Sequence, residues 1–252
     1  MISKVLSLIV LSIATWLPQV SGQTPPQADE AFAFRILGAG VSAEDVFYSS
    51  GGKAIPVRIL TEFRSPYYAY KGPRTKLAFF RQVPGPDGKL IHQPVGAVNL
   101  TGAGNRPLLI FVQQPGVAGS YVIHPFADSS KDVPPGGFRF VNFTTRTIAM
   151  KFDQQKIIIP SGEQVVVHGE PAKPNPVNPV KMFGVLLNDE IKLIYSNQWP
   201  YDPKMRGLVL ISPTTLNATG AAVKCLNEHI LQIPEDPEPK ATPGSVTGGA
   251  AQ

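Results

Sequence analysis

Apolar residues fall in short runs along most of the chain, and each run ends at Gly, Pro, Asp or Ser. The clearest example is the segment 134–167, which starts with a Pro-Pro-Gly-Gly breaker and continues as the runs 138–143, 148–152, 157–159 and 165–167. Runs of this length closed by turn residues are typical of strands in a sandwich or barrel. We find no convincing amphipathic-helix pattern. The pattern therefore predicts an all-β protein.

A fainter copy of this segment lies earlier in the chain. The pairs that match at an offset of 104 positions are Phe34 with Phe138, Val46 with Met150, Pro56 with Pro160, and Phe79 with Phe183. Residues 106–111 match residues 206–211 at an offset of 100, and residues 121–123 are echoed in 222–224. A loop deletion explains the change of offset. A period of roughly a hundred residues is the size of one sandwich domain, so the sequence predicts two tandem β-sandwich modules from an internal duplication.

The N-terminus has the form of an export signal. Residues 1–23 contain one early lysine, an apolar run over 5–17 and small residues before Gln23, which indicates a cleaved signal peptide; an uncleaved membrane anchor is the alternative. After cleavage no other stretch is apolar enough to cross a bilayer. We therefore expect an exported protein of the periplasm, the outer envelope or the extracellular space. The predicted organisation is a lead-in over 24–30, module 1 over 31–133, module 2 over 134–233 and a disordered tail over 234–252.

Charge and cysteine content narrow the function classes. The formal net charge is +5, and loss of the signal with its single Lys4 leaves a mildly basic chain with dispersed charges. Nucleic-acid binding requires clustered Lys and Arg, so we expect no nucleic-acid partner. Cys225 is the only cysteine and excludes an intrachain disulfide. Its position in a strand indicates a buried apolar residue, with an intermolecular bridge or a reactive thiol as the alternative.

The residues that could carry catalysis are scattered. His92, His124, His168 and His229 lack the spacing of a metal site. We find no GxSxG, P-loop or dinucleotide-binding motif. The sequence thus predicts no metal, no cofactor and no catalytic residue, although a hydrolase with a site assembled from distant loops is not excluded.

Two aromatic clusters are the candidate binding residues. Tyr67, Tyr68 and Tyr70 lie between two prolines, and a strand would place Tyr68 and Tyr70 on one face and Tyr67 on the other. Trp199 and Tyr201 flank Pro200 in a predicted loop. Exposed aromatic rings on a sandwich stack on sugars or anchor a protein partner. The alternative is that these rings pack on the sandwich edges.

One segment also resembles a known group of proteins. The sequence GGFRFVNFTTRTIAMKFDQQKIIIPSGEQVVV, preceded by LLIFVQQPG and SYVIHPFADSSKDVPPG, resembles small exported immunoglobulin-like β-sandwich proteins of verrucomicrobial bacteria. The resemblance implies immunoglobulin-like modules in an envelope or secreted protein and a link to surface structures such as pili. It supplies no functional residue. Because the chain has no cysteine pair, the immunoglobulin label is architectural only.

These observations favour a non-catalytic binding or structural protein of the bacterial envelope or cell surface. Its two modules would present their loops to an envelope or surface protein. The alternative is a carbohydrate-binding module that holds a polysaccharide with Trp199, Tyr201, Tyr68 and Tyr70.

Overall fold

The computed structural model describes residues 30–168, 177–185, 191–216, 219–229 and 231. The predicted signal peptide, nearly all of the lead-in and the predicted tail lie outside the described residues. The strands of the first half are β1 (Glu30–Ala39), β2 (Ala43–Ser50), β3 (Lys53–Ile59), β4 (Tyr68–Gly72), β5 (Leu77–Pro84), β6 (Leu90–Val98), β7 (Leu108–Gln113) and β8 (Tyr121–Phe126). Those of the second half are β9 (Gly137–Asn142), β10 (Ile148–Phe152), β11 (Gln155–Ile159), β12 (Gln164–His168), β13 (Val177–Val185), β14 (Ile191–Pro200), β15 (Met205–Pro213) and β16 (Ala221–His229).

The strands form four sheets of four strands each. Module 1 has the strand orders β4-β1-β7-β8 and β3-β2-β5-β6, and module 2 has β12-β9-β15-β16 and β11-β10-β13-β14. The second pair of sheets thus has the strand order of the first. The pairs β1–β7 and β9–β15 are parallel, and the other pairings are antiparallel. The connection 127–136 separates the two halves, and the predicted module boundary after residue 133 lies within it.

Each module has a core to which both of its sheets contribute. In β1 the alternating residues Phe32, Phe34 and Ile36 point into the module 1 core, because successive side chains of a strand face opposite sides. Strands β2 to β8, with Leu100 from the connection between β6 and β7, supply the rest of this core, and β9 to β16 build an equivalent core in module 2. The prediction of an all-β protein with sandwich architecture is confirmed. An immunoglobulin constant domain pairs strands A-B-E-D and C-F-G, and the sheet orders seen here do not reproduce that arrangement.

A third core joins the two modules. It lies between the outer faces of β4-β1-β7-β8 and β12-β9-β15-β16 and contains Leu37, Ala39, Leu108, Ile110, Val141, Leu208, Leu210 and Leu226. Strands β7 and β15 are therefore covered on both faces. This explains why their sequences LLIF and LVLI are continuous apolar runs with no polar alternation.

The strand registers place the two modules in correspondence. Arg35 pairs with Leu108 in module 1, and Arg139 pairs with Leu208 in module 2. These are the predicted offsets of 104 for the first strand of each module and 100 for the seventh.

The strand registers of the two modules correct two of the residue matches made from the sequence. Tyr48 pairs with Phe79 and Phe152 pairs with Val180, so the counterpart of Phe79 is Val180 rather than Phe183. Tyr121 corresponds to Ala221, one position before the match made from the sequence, because Gln113 and Pro213 are their respective partners.

Two predicted loops are partly strand. The proline-rich connection predicted over 171–179 ends earlier, because β13 begins at Val177 and pairs with β14. Trp199 lies within β14 and pairs with Asn178, so its placement in a loop was wrong. Pro200 misled the prediction: it is the last residue of β14, where a missing backbone donor is tolerated.

Candidate binding surfaces

The predicted aromatic residues do not form one exposed surface. Trp199 is 7% exposed and stacks on Phe138 and Phe140 in the module 2 core, with ring centroids 5.6 and 6.0 Å apart. Its indole Nε1 donates a hydrogen bond of 3.0 Å to the hydroxyl of Tyr195. The expectation that Trp199 is an exposed ring is wrong. Strand β14 pairs with β13 in the sheet that packs on the module 2 core, and the Trp199 side chain faces this core.

The tyrosine cluster is divided between two environments. Tyr70 is 5% exposed and packs edge-on against Phe32, and Tyr68 packs beside it against the same core. Tyr67 points to the other side of the chain, as the sequence predicted, where the guanidinium groups of Arg35 and Arg106 lie 5.2 and 5.7 Å from its ring centre. Burial raises the pKa of the Tyr67 hydroxyl.

Tyr201 lies at the junction of the modules. It is partly exposed, and a Cβ added to Gly136 would come within 3.2 Å of its ring, so ring and connection are in close contact. Of the five predicted binding residues, Tyr67, Tyr68 and Tyr201 retain partial exposure, and they lie on separate elements.

An apolar row crosses the outer face of sheet β11-β10-β13-β14. The strand registers pair Ile158 with Ala149, Ala149 with Phe183, and Phe183 with Leu193. Ile158 is 63% and Leu193 is 49% exposed, and Ile191 in the same strand as Leu193 is 70% exposed. We call these five residues the module 2 outer row. A depression of about 310 Å³ lies between its β11 and β13 members.

Lysines lie beside this row. Lys151 pairs with Lys156 in the strand register, and these lysines lie two positions from Ala149 and Ile158, respectively. Both lysines are exposed and line the same depression. The surface thus offers exposed apolar side chains with positive charges next to them.

The corresponding face of module 1 is covered differently. Arg58 pairs with Glu44 at 2.6 Å, and Arg81 pairs with Asp45 at 2.6 Å. Phe80, which is the most buried ring on this face, is stacked under His92 with centroids 3.9 Å apart. Arg58 and Phe80 on this face therefore have partners within the module, while Leu90 on the edge strand β6 is exposed.

A buried ionic cluster lies beside the third core. Arg206 is fully buried; its Nε and Nη2 donate to Glu228 Oε2 at 2.9 and 2.6 Å, and Nη2 also donates to Asp128 Oδ2 at 3.2 Å. Its Nη1 donates to the carbonyl oxygens of Asp128 and Ser129. Asp128 and Glu228 are at corresponding positions of the two modules, because they follow Phe126 and Leu226 by two residues. Phe126 pairs with Leu108 in module 1, and Leu226 pairs with Leu208 in module 2.

Three further arginines surround the same two carboxylates. Arg35 donates to Glu228 Oε1 at 2.5 Å, Arg64 lies 3.4 Å from Asp128 and 3.6 Å from Glu228, and Arg139 lies 3.9 Å from Asp128. Nε of Arg64 and Nε and Nη1 of Arg139 are buried without a hydrogen-bond partner among the described residues. Burial lowers the pKa of both guanidinium groups.

The field of these arginines acts on Glu228. Burial alone would raise the pKa of this carboxyl, but the charges of Arg64 and Arg206 and the hydrogen bond from Arg35 outweigh it, so that the pKa lies below its ordinary value.

A pocket of about 550 Å³ opens next to this cluster, between the modules. Arg35, Glu62, Phe63 and Arg64 line it from module 1, and residues 224–228 of β16 line it from module 2. Lys224 and Glu62 form an ion pair of 2.5 Å across the junction. The hydrogen bond from Lys224 lowers the pKa of Glu62.

Sequence reasoning missed both the outer row and the ionic cluster. A signal for the cluster was present: Arg35 and Arg139 each stand between two core-facing residues of a strand, 104 positions apart. The run Ile157-Ile158-Ile159 was a signal for the outer row, because a strand must direct its middle residue away from the core its neighbours face.

The other chemically reactive residues have structural surroundings. Cys225 packs against the module 2 core, and burial raises the pKa of its thiol to about 12. His124 packs on the ring of Phe143, and burial lowers its pKa. Among the described residues there is no group of three potential metal ligands. Nor do those residues include a helix with the length and hydropathy needed to cross a membrane.

No protein-family model matches the chain, and no curated protein matches it significantly.

Proposed function

We propose that the chain is a non-catalytic binding or structural protein of the bacterial envelope and that it binds a protein partner through the module 2 outer row. The observation that carries this proposal is the exposure of Ile158 at one edge of a sheet face and of Leu193 and Ile191 at the other, with Ala149 and Phe183 between them. Contiguous apolar surface on a folded protein marks an interaction site.

The charges beside the row define the partner further. Lys151 and Lys156 would meet acidic groups on the partner, since complementary charge at the rim of an interface speeds association and excludes wrong partners. The partner surface is thus apolar at its centre and acidic at one side. This differs from the sequence expectation, in which loops met the partner, because the exposed apolar residues lie on a sheet.

The proposal includes an origin of the two modules by internal duplication. Its support is the common strand order of the two halves and the matching registers Arg35–Leu108 and Arg139–Leu208. The immunoglobulin-like type belongs to this proposal only as a layered architecture. Export to the periplasm, the outer envelope or the extracellular space rests on residues 1–23.

The carbohydrate-binding alternative has a weaker basis. It needs Trp199 and Tyr70 as exposed plates, and both are buried in module cores. Tyr68 and Tyr201, which keep partial exposure, lie in different modules.

Capture with a matched pair of variants tests the proposal. The mature chain, residues 24–252, is immobilised and exposed to a native envelope extract, and bound proteins are identified by mass spectrometry. The double variant Ile158→Ser/Leu193→Ser should capture at least tenfold less of the partner. The control Leu90→Ser/Ile91→Ser removes apolar residues of nearly equal exposure, 62% and 48%, from an edge strand of module 1 and should capture it fully.

Both double variants replace exposed residues, so each should stay within about 0.5 kcal/mol per site of the parent stability. A partner held equally by both variants would overturn the assignment of the surface. Polysaccharide in place of protein would favour the carbohydrate alternative, and a second copy of the chain, detected by sedimentation, would replace the foreign partner.

A further inference from the structure

The buried ionic cluster between the modules has more positive than negative groups. Four guanidinium groups, those of Arg35, Arg64, Arg139 and Arg206, surround the carboxylates of Asp128 and Glu228. Both oxygens of Glu228 are already engaged, Oε1 by Arg35 and Oε2 by Arg206. Asp132, a third carboxylate near Arg139, accepts hydrogen bonds from Ser129. The carboxylates therefore leave positive charge uncompensated.

Three nitrogens of this cluster make no hydrogen bond within the described part of the chain, although Arg64 Nε and Arg139 Nη1 lie 3.4 and 3.9 Å from the Asp128 carboxylate. Nε of Arg64 and two nitrogens of Arg139 have no hydrogen-bond acceptor among the described residues, although the side chains of these two arginines are only 5% and 4% exposed. A buried charge without a full set of partners is costly, and native proteins retain one where something else satisfies it. Arg64 lines the pocket between the modules, so a ligand in that pocket would lie beside this excess of positive charge.

The pocket is shaped for a molecule that carries an anionic group. Its volume of about 550 Å³ exceeds that of a single oxyanion and lies in the range of small-molecule sites. Three cations, Arg35, Arg64 and Lys224, and two carboxylates, Glu62 and Glu228, line its wall, which leaves positive charge in excess. Exposed Phe63 provides an apolar surface. Guanidinium groups bind carboxylates and phosphates through paired N–H donors.

We propose that the pocket between the modules binds a small organic anion, with its carboxylate or phosphate group held by Arg64, Arg35 and Lys224. The ligand contacts both modules at once and fixes their contact. Glu62 competes with the ligand for Lys224, because its carboxylate already forms an ion pair with that ammonium group.

Calorimetric titration and thermal unfolding of the mature chain test the site. The probes are inorganic phosphate and citrate at low millimolar concentration, against sodium chloride of equal ionic strength; at such concentrations general exclusion of these salts from the surface is negligible. At least one probe should bind and raise the melting midpoint relative to chloride. Phosphate alone would identify a phosphoryl ligand, and citrate alone a carboxylate ligand.

Variants with opposite expected signs make the test specific. Arg64→Gln should weaken binding at least tenfold, and the charge-matched control Arg58→Gln, at an exposed ion pair of module 1, should leave it unchanged. Glu62→Gln should tighten binding about threefold, since it frees Lys224 at an exposed position that folding does not need. If Arg64→Gln does not fold, Glu62→Gln decides alone. Absence of any difference from chloride, unchanged binding in Arg64→Gln, or weaker binding in Glu62→Gln would overturn the proposal.

Discussion

The two modules contribute corresponding residues to their interface, but they use them unequally. Arg106 and Arg206 are at corresponding positions, because they stand two residues before Leu108 and Leu208. These leucines pair with Phe126 and Leu226 in the last strand of each module. Arg206 is fully buried and donates to two carboxylates and two carbonyls, whereas Arg106 is half-buried over the ring of Tyr67. The same residue type at the same position is structural in one module and peripheral in the other. Burial, more than the corresponding position in the strand order, determines the energetic role.

The outer faces differ in the same way. Module 1 has an ion pair and a stacked Phe80–His92 pair on this face and exposes Leu90 and Ile91 at the start of edge strand β6, while module 2 exposes Ile158 and Leu193 at the two ends of a row that crosses the sheet. A shared strand order therefore sets which positions lie on a face, and the side chains there determine whether the face can meet a partner.

Among corresponding positions of the two modules, we expect replacement of Arg206 and of Arg106 to show the largest difference in stability. Arg206→Ala leaves Asp128 and Glu228 with fewer partners in a buried site and should lower the free energy of unfolding by about 3–5 kcal/mol. Arg106→Ala, at a half-exposed site, should cost about 1 kcal/mol or less. Urea denaturation measures both. Equal losses would show that the interface does not distinguish the two positions.

A second comparison concerns Gly38 and Asn142, which pair with Phe111 and Ile211 at corresponding places. The buried amide nitrogen of Asn142 lies 2.7–3.0 Å from three carbonyl oxygens, and its Oδ1 accepts two hydrogen bonds from Thr144. Asn142→Ala should cost about 1–3 kcal/mol because those groups lose their partner.

Module 1 does not tolerate asparagine at Gly38, the position that corresponds to Asn142. A Cβ on Gly38 would lie 1.8 Å from the carbonyl oxygen of Val41, so Gly38→Asn should destabilise module 1 instead of adding a similar network. Thermal unfolding checks both variants, and a stable Gly38→Asn protein would contradict the packing described here.

The smallest expected effect is a change in acid sensitivity. Because the folded pKa of Glu228 lies below its ordinary value of 4.5, the ionised carboxylate stabilises the fold at neutral pH, and this contribution is lost as the pH falls through the lower folded value. Glu228→Gln should therefore lose less stability than the parent between about pH 5 and pH 3. Melting midpoints across this range measure the difference, and parallel curves would mean that the carboxylate does not titrate with folding.

Much of the fold could be predicted from the sequence, because strand position depends on local patterns. Runs such as 138–143 and 148–152 correspond to β9 and β10, and the Phe34–Phe138 offset agrees with the registers. The apolar run over 208–211 predicted a strand, but its lack of alternation also indicated burial on both faces, which the sequence analysis did not use.

The candidate sites were harder to predict because they depend on distant contacts. Glu228 meets Arg35 across 193 positions, and Arg206 meets Asp128 across 78. Charged residues are usually exposed, so single residues gave no reason to expect this cluster. Trp199 was judged by its neighbouring proline, whereas its burial follows from the pairing of β14 with β13.

The third core also bears on how the chain can assemble. Because each module presents the other with a corresponding face, the contact can form between modules of two separate chains, and an interlocked pair that has exchanged modules would retain the interactions of the monomer. The short tether of residues 127–136 keeps the two faces at high effective concentration, which favours the contact within one chain over exchange at low protein concentration. When nascent chains are crowded, the matching face of another chain is as near as the face of the same chain, and exchange of modules becomes competitive.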